Sequence, residues 1–207
     1  MLSEQAGIAN TRARAYRMRK RAEGVTRTRA RIVEATVQLH GTIGFAATTV
    51  AGIARQAGVT RLTVYRHFPE VEDLYAACKA HWADLQQPPN VDAWSKVADP
   101  AERLRTGLSD LYRFYRGGEA MLTFVAREWE MLPDKVRREN EETDAHLRDT
   151  LLQPFAARGA QRRRLRAVLG HAVKFATWRS LCVEQGLTDR EGVEVMAALV
   201  QSVWGEN

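Results

Sequence analysis

Residues Thr49–Phe68 read TVAGIARQAGVTRLTVYRHF, and this stretch decides the fold. The hydroxyls of Thr48 and Thr49 suit the cap of a short helix, in which Val50, Ile53, Ala54 and Ala57 recur at helical spacing. Gly58 supplies the positive φ of a turn, Val59 fills the angle between two helices, and Thr60 caps the second. Ala54 is small where the second helix must cross close above the first. Val59, Val64 and Phe68 then face inward. The outer face carries Thr60, Arg61, Thr63, Tyr65, Arg66 and His67, whose hydroxyl, guanidinium, phenol and imidazole groups suit phosphates and base edges. A helical hairpin inside some other all-α protein is the plain alternative.

Upstream, a helix is predicted from about Thr26 to His40, with Ile32, Ala35, Thr36 and Leu39 on one apolar stripe and an exit through Gly41 and Gly44 into Phe45. The order is helix, GxxGF turn, Thr-capped helix, AGV turn, then a helix ending in TVYRHF. From about Thr26 to Ala77 this pattern resembles the N-terminal DNA-binding domain of the tetracycline-repressor (TetR) family. Beyond it, only the helical layout and the length resemble that family.

The resemblance implies a role for each matching residue. Thr49 and the amides at the start of its helix meet a phosphate. Thr60 belongs to the same surface, and Tyr65 and His67 grip the DNA backbone. Arg61, Leu62 and Thr63 face bases; an arginine suits guanine O6 and N7, while Leu62 or the Thr63 methyl suits a thymine methyl. Arg66 reaches a base or a phosphate. Two departures stand out. Where many members carry a phosphate-binding Lys, this chain has Pro69, Glu70, Val71 and Glu72, and Leu62 is larger than the usual small residue.

Charge agrees with this placement. From Met1 to Glu72 there are twelve Lys and Arg against five Asp and Glu, a net of +7, whereas the rest has nineteen against twenty. The excess is concentrated in Arg12, Arg14, Arg17, Arg19, Lys20 and Arg21, opposed locally by Glu23. With Gly7 and Gly24 nearby and no convincing apolar face, residues 1–24 are expected to form a basic flexible arm. It either lies along phosphates or enters the minor groove, adding salt-dependent affinity, or is a solvated tail.

The expected architecture is all-α, with a three-helix helix-turn-helix domain over 25–72 and a larger helical effector-binding and dimerisation domain over 73–207. A connecting helix is predicted over Asp73 to Gln86, then a loop over Gln87 to Asp99, ended by the Asp99, Pro100 and Glu102 helix start. Leu104, Leu108, Leu111, Tyr112 and Tyr115 share a face. After Gly117 and Gly118 come Leu122, Val125, Trp129 and Leu132, with Pro133 as a stop. Asp134 to about Ala157 is strongly polar in its first half, with a break at Pro154. Two long helices close the chain, one striped by Leu165, Val168, Leu169, Ala172, Phe175 and Ala176. The other carries Val193, Met196, Leu199, Val200 and Val203 behind a Thr188 to Glu191 capping box. Such stripes bury an internal core or build a four-helix interface with a second copy.

The family resemblance implies a homodimer on a palindromic double-stranded operator, released by a small-molecule effector held in the C-terminal domain. Candidate lining residues are Leu108, Tyr112, Phe124, Trp129, Phe175 and Trp178, because aromatic walls with polar handles suit a small ligand, although core packing is their commoner role. His171, Lys174 and Arg179 are candidates for a polar ligand group or for surface pairing.

No catalytic motif is present: HExxH, GxSxG, GxGxxG and P-loop patterns are absent, and the five histidines lack metal-ligand spacing. No enzyme activity, metal or cofactor is expected. Cys78 and Cys182 have no CxxC partner and read as reduced thiols. The apolar stretches are too short for a membrane span, so a cytoplasmic protein is expected. Two other classes remain open: a nonspecific architectural DNA-binding protein, or a small-molecule sensor without operator specificity.

Overall fold

The computed structural model describes the backbone of residues 2–205 and the side chains of residues 16–205. Among the described residues there is no strand, in agreement with the all-α expectation. The helices are α1 Leu2–Ile43, α2 Val50–Ala57, α3 Arg61–His67, α4 Val71–Gln86, α5 Val91–Ser95 and α6 Pro100–Gly117. They continue as α7 Glu119–Arg127, a 3-10 turn Trp129–Met131, α8 Asp134–Leu152, α9 Gly159–Ala172, α10 Phe175–Trp178, a π-helical stretch Arg179–Glu184 and α11 Asp189–Trp204.

Two compact units result. One contains the chain up to Leu39 together with Thr48–His81; the other contains His40–Ala47 and the chain from Trp82 onward. In the first, Ile32, Val33 and Ala35 of α1 bury against Ile53, Ala54 and Ala57 of α2, Val64 of α3, Phe68, and Leu74 and Cys78 of α4. The buried Thr36 hydroxyl donates to the Ile32 carbonyl at 2.7 Å, so α1 keeps a polar atom in that core without an unmet hydrogen bond.

The first helix departs from expectation. It begins at Leu2 rather than near Thr26, so the segment read as a flexible arm has helical backbone. Arg, Lys, Ala, Met and Gln are good helix formers, no proline intervenes, and an Arg19 to Glu23 ion pair at i,i+4 supports the turn that precedes Gly24. The side chains of Arg12 and Arg14 lie outside the described residues.

In the second unit, α6 is the central helix. Leu104, Leu108, Leu111, Tyr112 and Tyr115 pack against Leu147, Leu151 and Leu152 of α8, Leu165 and Leu169 of α9, and Val193, Met196 and Val200 of α11. Gly107 is required by this packing, because a Cβ there would meet Leu151 at 2.6 Å and Trp94 at 3.2 Å. Arg103, 5% exposed, donates to the carbonyls of Ser95, Val97 and Thr150 and to the Gln153 side chain, so one buried guanidinium satisfies the ends of α5 and α8.

Several element ends follow the sequence. Thr60, Asp99 and Thr188 are side-chain caps, and Thr188 with Glu191 forms the reciprocal capping box. Helix α8 ends two residues before Pro154. Two departures have local causes. The loop expected over Gln87 to Asp99 contains α5, capped by the Asn90 side chain on the Ala93 amide and anchored by buried Trp94, whose indole N–H donates to Asp110 at 3.0 Å. The long helix expected through Ala176 breaks after Ala172. There the Tyr112 and Tyr115 hydroxyls donate to the carbonyls of Ala172 at 3.2 Å and Val173 at 2.5 Å, two acceptors that an uninterrupted helix would use for itself.

A small polar cluster closes the second unit around residues 40–47. Glu128, 8% exposed, accepts from the Ala46 amide at 2.9 Å and from Arg127 at 2.9 Å. Burial raises its pKa, but hydrogen bonds from Arg127 and from the Ala46 and Phe45 amides outweigh this and hold the carboxyl below its usual range. Gly44, at φ +84°, passes so close that a Cβ would clash with Glu128 and Phe124. His40 is buried beside Phe45, ring centroids 4.3 Å apart. Burial lowers its pKa from 6.5 to about 4, against the upward pull of Glu128.

That shift fixes a sign. Below pH 6.5 the unfolded chain takes up a proton at His40 that the folded chain refuses, so stability present at pH 7 is lost as pH falls towards 4. The full gap corresponds to on the order of 3 kcal/mol. Urea denaturation at pH 7.5, 6 and 5 is expected to show this loss, and His40→Gln is expected to flatten it; an unchanged slope in the variant would contradict the assignment.

Candidate nucleic-acid interface

Helix α2 starts where Thr49, in extended conformation, accepts from the Gly52 amide at 3.1 Å. It ends at Gly58, φ 63°, whose amide and that of Val59 return to the carbonyls of Arg55 and Ala54 in a Schellman closure. Thr60 then starts α3, accepting from the Thr63 amide at 3.2 Å, and its hydroxyl lies 2.9 Å from that of Thr63. Both ends of the turn are therefore fixed by residues visible in the sequence.

The turn is held from outside by a residue that sequence reasoning missed. Arg31 of α1 donates through Nε and Nη2 to the Ala57 carbonyl, at 3.0 and 2.6 Å, and through Nη2 to the Gly58 carbonyl at 3.0 Å. These are the acceptors left over where α2 stops. No local signal distinguishes this arginine from its neighbours, because the contact spans 26 residues.

With the turn fixed, α3 buries one side and presents the other. Val64 and Phe68 are 2% and 3% exposed, and the Arg29 guanidinium lies 4.5 Å from the Phe68 ring centroid. Leu62 is 68% and Tyr65 53% exposed, and Arg61 and Arg66 are exposed beside them. An apolar Leu62 left in water beside two guanidiniums and a phenol has no role in the core. It suits a partner that offers both phosphates and methyl groups. Thr63 and His67 are half-buried at the edges of this face, and Thr49 and Thr60 are exposed at the two helix starts. The structure thus gathers all eight expected DNA-contact residues onto α3 and the two capping positions. Glu72 and Asp73 occupy the first turn of α4, where acidic groups favour the helix dipole.

The six candidate effector residues are divided. Leu108, Tyr112 and Trp178 are fully buried in the core around α6, with Phe175 packed on it. Phe124 lies by Gly44 and Arg127, and Trp129 is in the 3-10 turn. Trp178 donates to Asp189 at 2.9 Å, with Arg116 over its ring at 4.9 Å and paired to the same Asp189. Lys174 pairs with Asp144, His171 lies by the Thr177 hydroxyl, and Arg179 pairs with Glu184. Burial pushes the Cys78 thiol up to about 12 and the Cys182 thiol to about 11, so neither is a poised nucleophile. Among the described residues, no cluster of three metal-ligating side chains occurs, and no helix is long and apolar enough to cross a membrane.

The family model described as "Bacterial regulatory proteins, tetR family" matches residues 32–78, the segment containing α2, α3 and the turn. No curated protein matches the chain. In fold the chain is similar to AibR, solved in complex with isovaleryl coenzyme A and operator DNA, at 20% identity and a TM-score of 0.60 over 84% of this chain and 97% of that one. A TetR-like transcriptional regulator from a Rhodococcus species gives 16% identity and 0.58 over 87% and 97%. The TetR family regulator PfmR from Thermus thermophilus gives 18% and 0.54 over 84% and 97%.

Gly58 offers a direct test of the turn. A Cβ there would have its nearest neighbour at 3.6 Å, so Gly58→Ala meets no clash and suffers only the cost of positive φ. A loss of about 1–2 kcal/mol in urea denaturation is expected, and a smaller one for Gly58→Asn, which tolerates that conformation. Equal losses for the two would point to sterics instead.

Proposed function

We propose that this chain, whose residues 32–78 match the tetR family of bacterial regulatory proteins, is a ligand-responsive, sequence-specific transcriptional regulator that acts in the cytoplasm. It binds a palindromic operator as a homodimer, represses by occupying it, and leaves when a small-molecule effector binds the helical domain. The observation that carries this reading is the outer face of α3, where Arg61, Leu62, Tyr65 and Arg66 are exposed above a buried Val64.

Each residue has a task in this reading. Thr49, Thr60, Tyr65 and His67 hold phosphates and set the register of α3 in the major groove. Arg61, Leu62 and Thr63 read base edges, and Arg66 reaches a base or a phosphate. A single short helix discriminates only a few base pairs, so two copies about 34–36 Å apart, or a multiple of that, are needed on a two-fold operator. The exposed Val195 and Leu199 on one side of α11, one turn apart with Ala198 between them, support a second copy as their cover.

The effector must bind the DNA-incompetent state better than the competent one, because equal affinity shifts nothing. Leu108, Tyr112, Phe124, Trp129, Phe175 and Trp178 are the residues assigned to it. The solved relative that holds isovaleryl coenzyme A with operator DNA supports an effector of acyl-thioester type as the first to try.

Selection of genomic fragments on the purified protein, followed by footprinting, tests the reading. A short palindromic footprint is expected; protection spread along any duplex would replace it with an architectural protein, and no protection with a sensor. On the selected site Arg61→Ala is expected to lose about 1–3 kcal/mol at one base pair, whereas Tyr65→Phe weakens all sequences alike. Uniform loss from Arg61→Ala would contradict base readout. Val195→Glu with Leu199→Glu is expected to yield monomers by light scattering and to weaken operator binding; an intact dimer would move the interface elsewhere.

A further inference from the structure

Helix α3 is seven residues long and has one buried residue within its span, Val64. A helix that short is unstable alone, so its bearing is set by the groups that hold its ends. Both ends are held by α1. Before the start, Arg31 donates to the Ala57 and Gly58 carbonyls at 2.6 to 3.0 Å. At the finish, the Arg29 guanidinium lies 4.5 Å from the ring centroid of Phe68, the residue that closes α3 and whose amide returns to the Val64 carbonyl at 2.9 Å. The two arginines have a firm mounting, because Ile32 directly after them is 0% exposed and Val33, Ala35 and Thr36 are buried with it.

Apolar burial is non-directional, so a helix resting on Val64 and Phe68 alone can rock while both stay covered. Hydrogen bonds to two fixed carbonyls and a cation over one ring face are directional. Base readout sets the scale on which this matters. A tilt of about 10° moves the far end of a helix about 10 Å long by about 2 Å, whereas a hydrogen bond to a base edge tolerates only about 2.7–3.2 Å. Attraction to phosphates is long-ranged and survives such a shift.

We infer that Arg29 and Arg31 are positioning residues for sequence discrimination: braced at both ends, α3 holds the bearing at which its side chains meet base edges. Nonspecific hold on phosphates does not need the brace. This deepens the operator-binding reading and rests on it. The fork of Arg31 suits the task, since its Nε and Nη2 reach the carbonyls of two successive residues, a geometry that a lysine ammonium does not preorganise. Molecules with the brace open carry α3 off its bearing, and the apparent operator affinity falls with the competent fraction.

The test measures affinity of the full chain for a selected operator and for random duplex, from 50 to 300 mM salt, in the native, Arg31→Lys, Arg31→Gln and Arg29→Gln proteins. Urea denaturation gives the folded fraction of each. Arg31→Lys keeps the charge and loses the fork. It is expected to lower the preference for operator over random duplex by about 5- to 150-fold, the equivalent of one mismatched base pair, with random-duplex affinity and salt slope unchanged. Arg31→Gln is expected to match it in both. Arg29→Gln, which leaves the Ala57 and Gly58 carbonyls satisfied and serves if a change at Arg31 unfolds the chain, is expected to lower the preference by about 2- to 5-fold. Partial unfolding weakens binding to both duplexes alike, so a merely stabilising role leaves their ratio unmoved. A native ratio in Arg31→Lys or in Arg29→Gln would overturn the inference. So would a slope shallower by about 0.9 in Arg31→Gln but not in Arg31→Lys, with equal loss on both duplexes, the mark of a direct phosphate contact. In these outcomes the native preference for the operator stands. A native chain without preference among duplexes would sink the operator reading and the inference with it.

Discussion

The grip of Arg31 on the carbonyls of Ala57 and Gly58 is the contact on which the geometry of the α2 to α3 turn depends. A helix that stops leaves acceptors behind, and a glycine turn has little stiffness of its own. One guanidinium takes up both acceptors and ties α1 to the end of α2, so the direction in which α3 leaves the turn is referred to the longest helix of the unit. Charge-assisted bonds of this kind contribute about 1.5–3 kcal/mol when well formed, which is comparable with a helix cap. The buried Val64 and Phe68 stabilise α3 once it is aimed; Arg31 takes part in the aiming.

The second unit solves a similar problem with different groups. Arg103 satisfies three carbonyls at the ends of α5 and α8. Tyr112 and Tyr115 take carbonyls at Ala172 and Val173 and so interrupt what would be one closing helix, after which the chain turns through α10 and a π-helical stretch. Burial keeps both phenols far from ionisation, so they act as donors only. π-helical stretches frequently mark functional sites, and this one begins directly after Trp178, which is fully buried in the core around α6.

Much of the fold is readable from residue order, and the exceptions have physical causes. The turn at Gly58, the caps at Thr49 and Thr60 and the inward Val64 are local, encoded within a few residues, and they appear as expected. The division of α3 into a buried and an exposed side is legible for the same reason. The Arg31 clasp and the Tyr112 and Tyr115 interruption join residues 26 to 60 positions apart, and no periodicity reports such contacts. The start of α1 escapes a reading by periodicity, because Gly24 and a weak apolar stripe mask the helix-forming Arg, Lys, Ala and Met around them. The short α5 is hidden behind neighbouring prolines, although Asn90 is a cap in plain view. The six effector candidates are mostly aromatics on apolar stripes, and such stripes do not distinguish a packed core from a cavity wall.

Residues 40–47 continue the backbone of α1 yet belong to the second unit, held there by Glu128 and shaped by Gly44 and Phe124. The polypeptide accordingly passes between units three times rather than once. No single splice point separates the first unit from the second. A contiguous cut that kept residues 40–47 with the first unit would strand the Ala46 amide without the Glu128 carboxylate and take the positive-φ Gly44 away from the Phe124 and Glu128 side chains that shape its surroundings. Exchange of one contiguous stretch of sequence for another is therefore penalised in this chain.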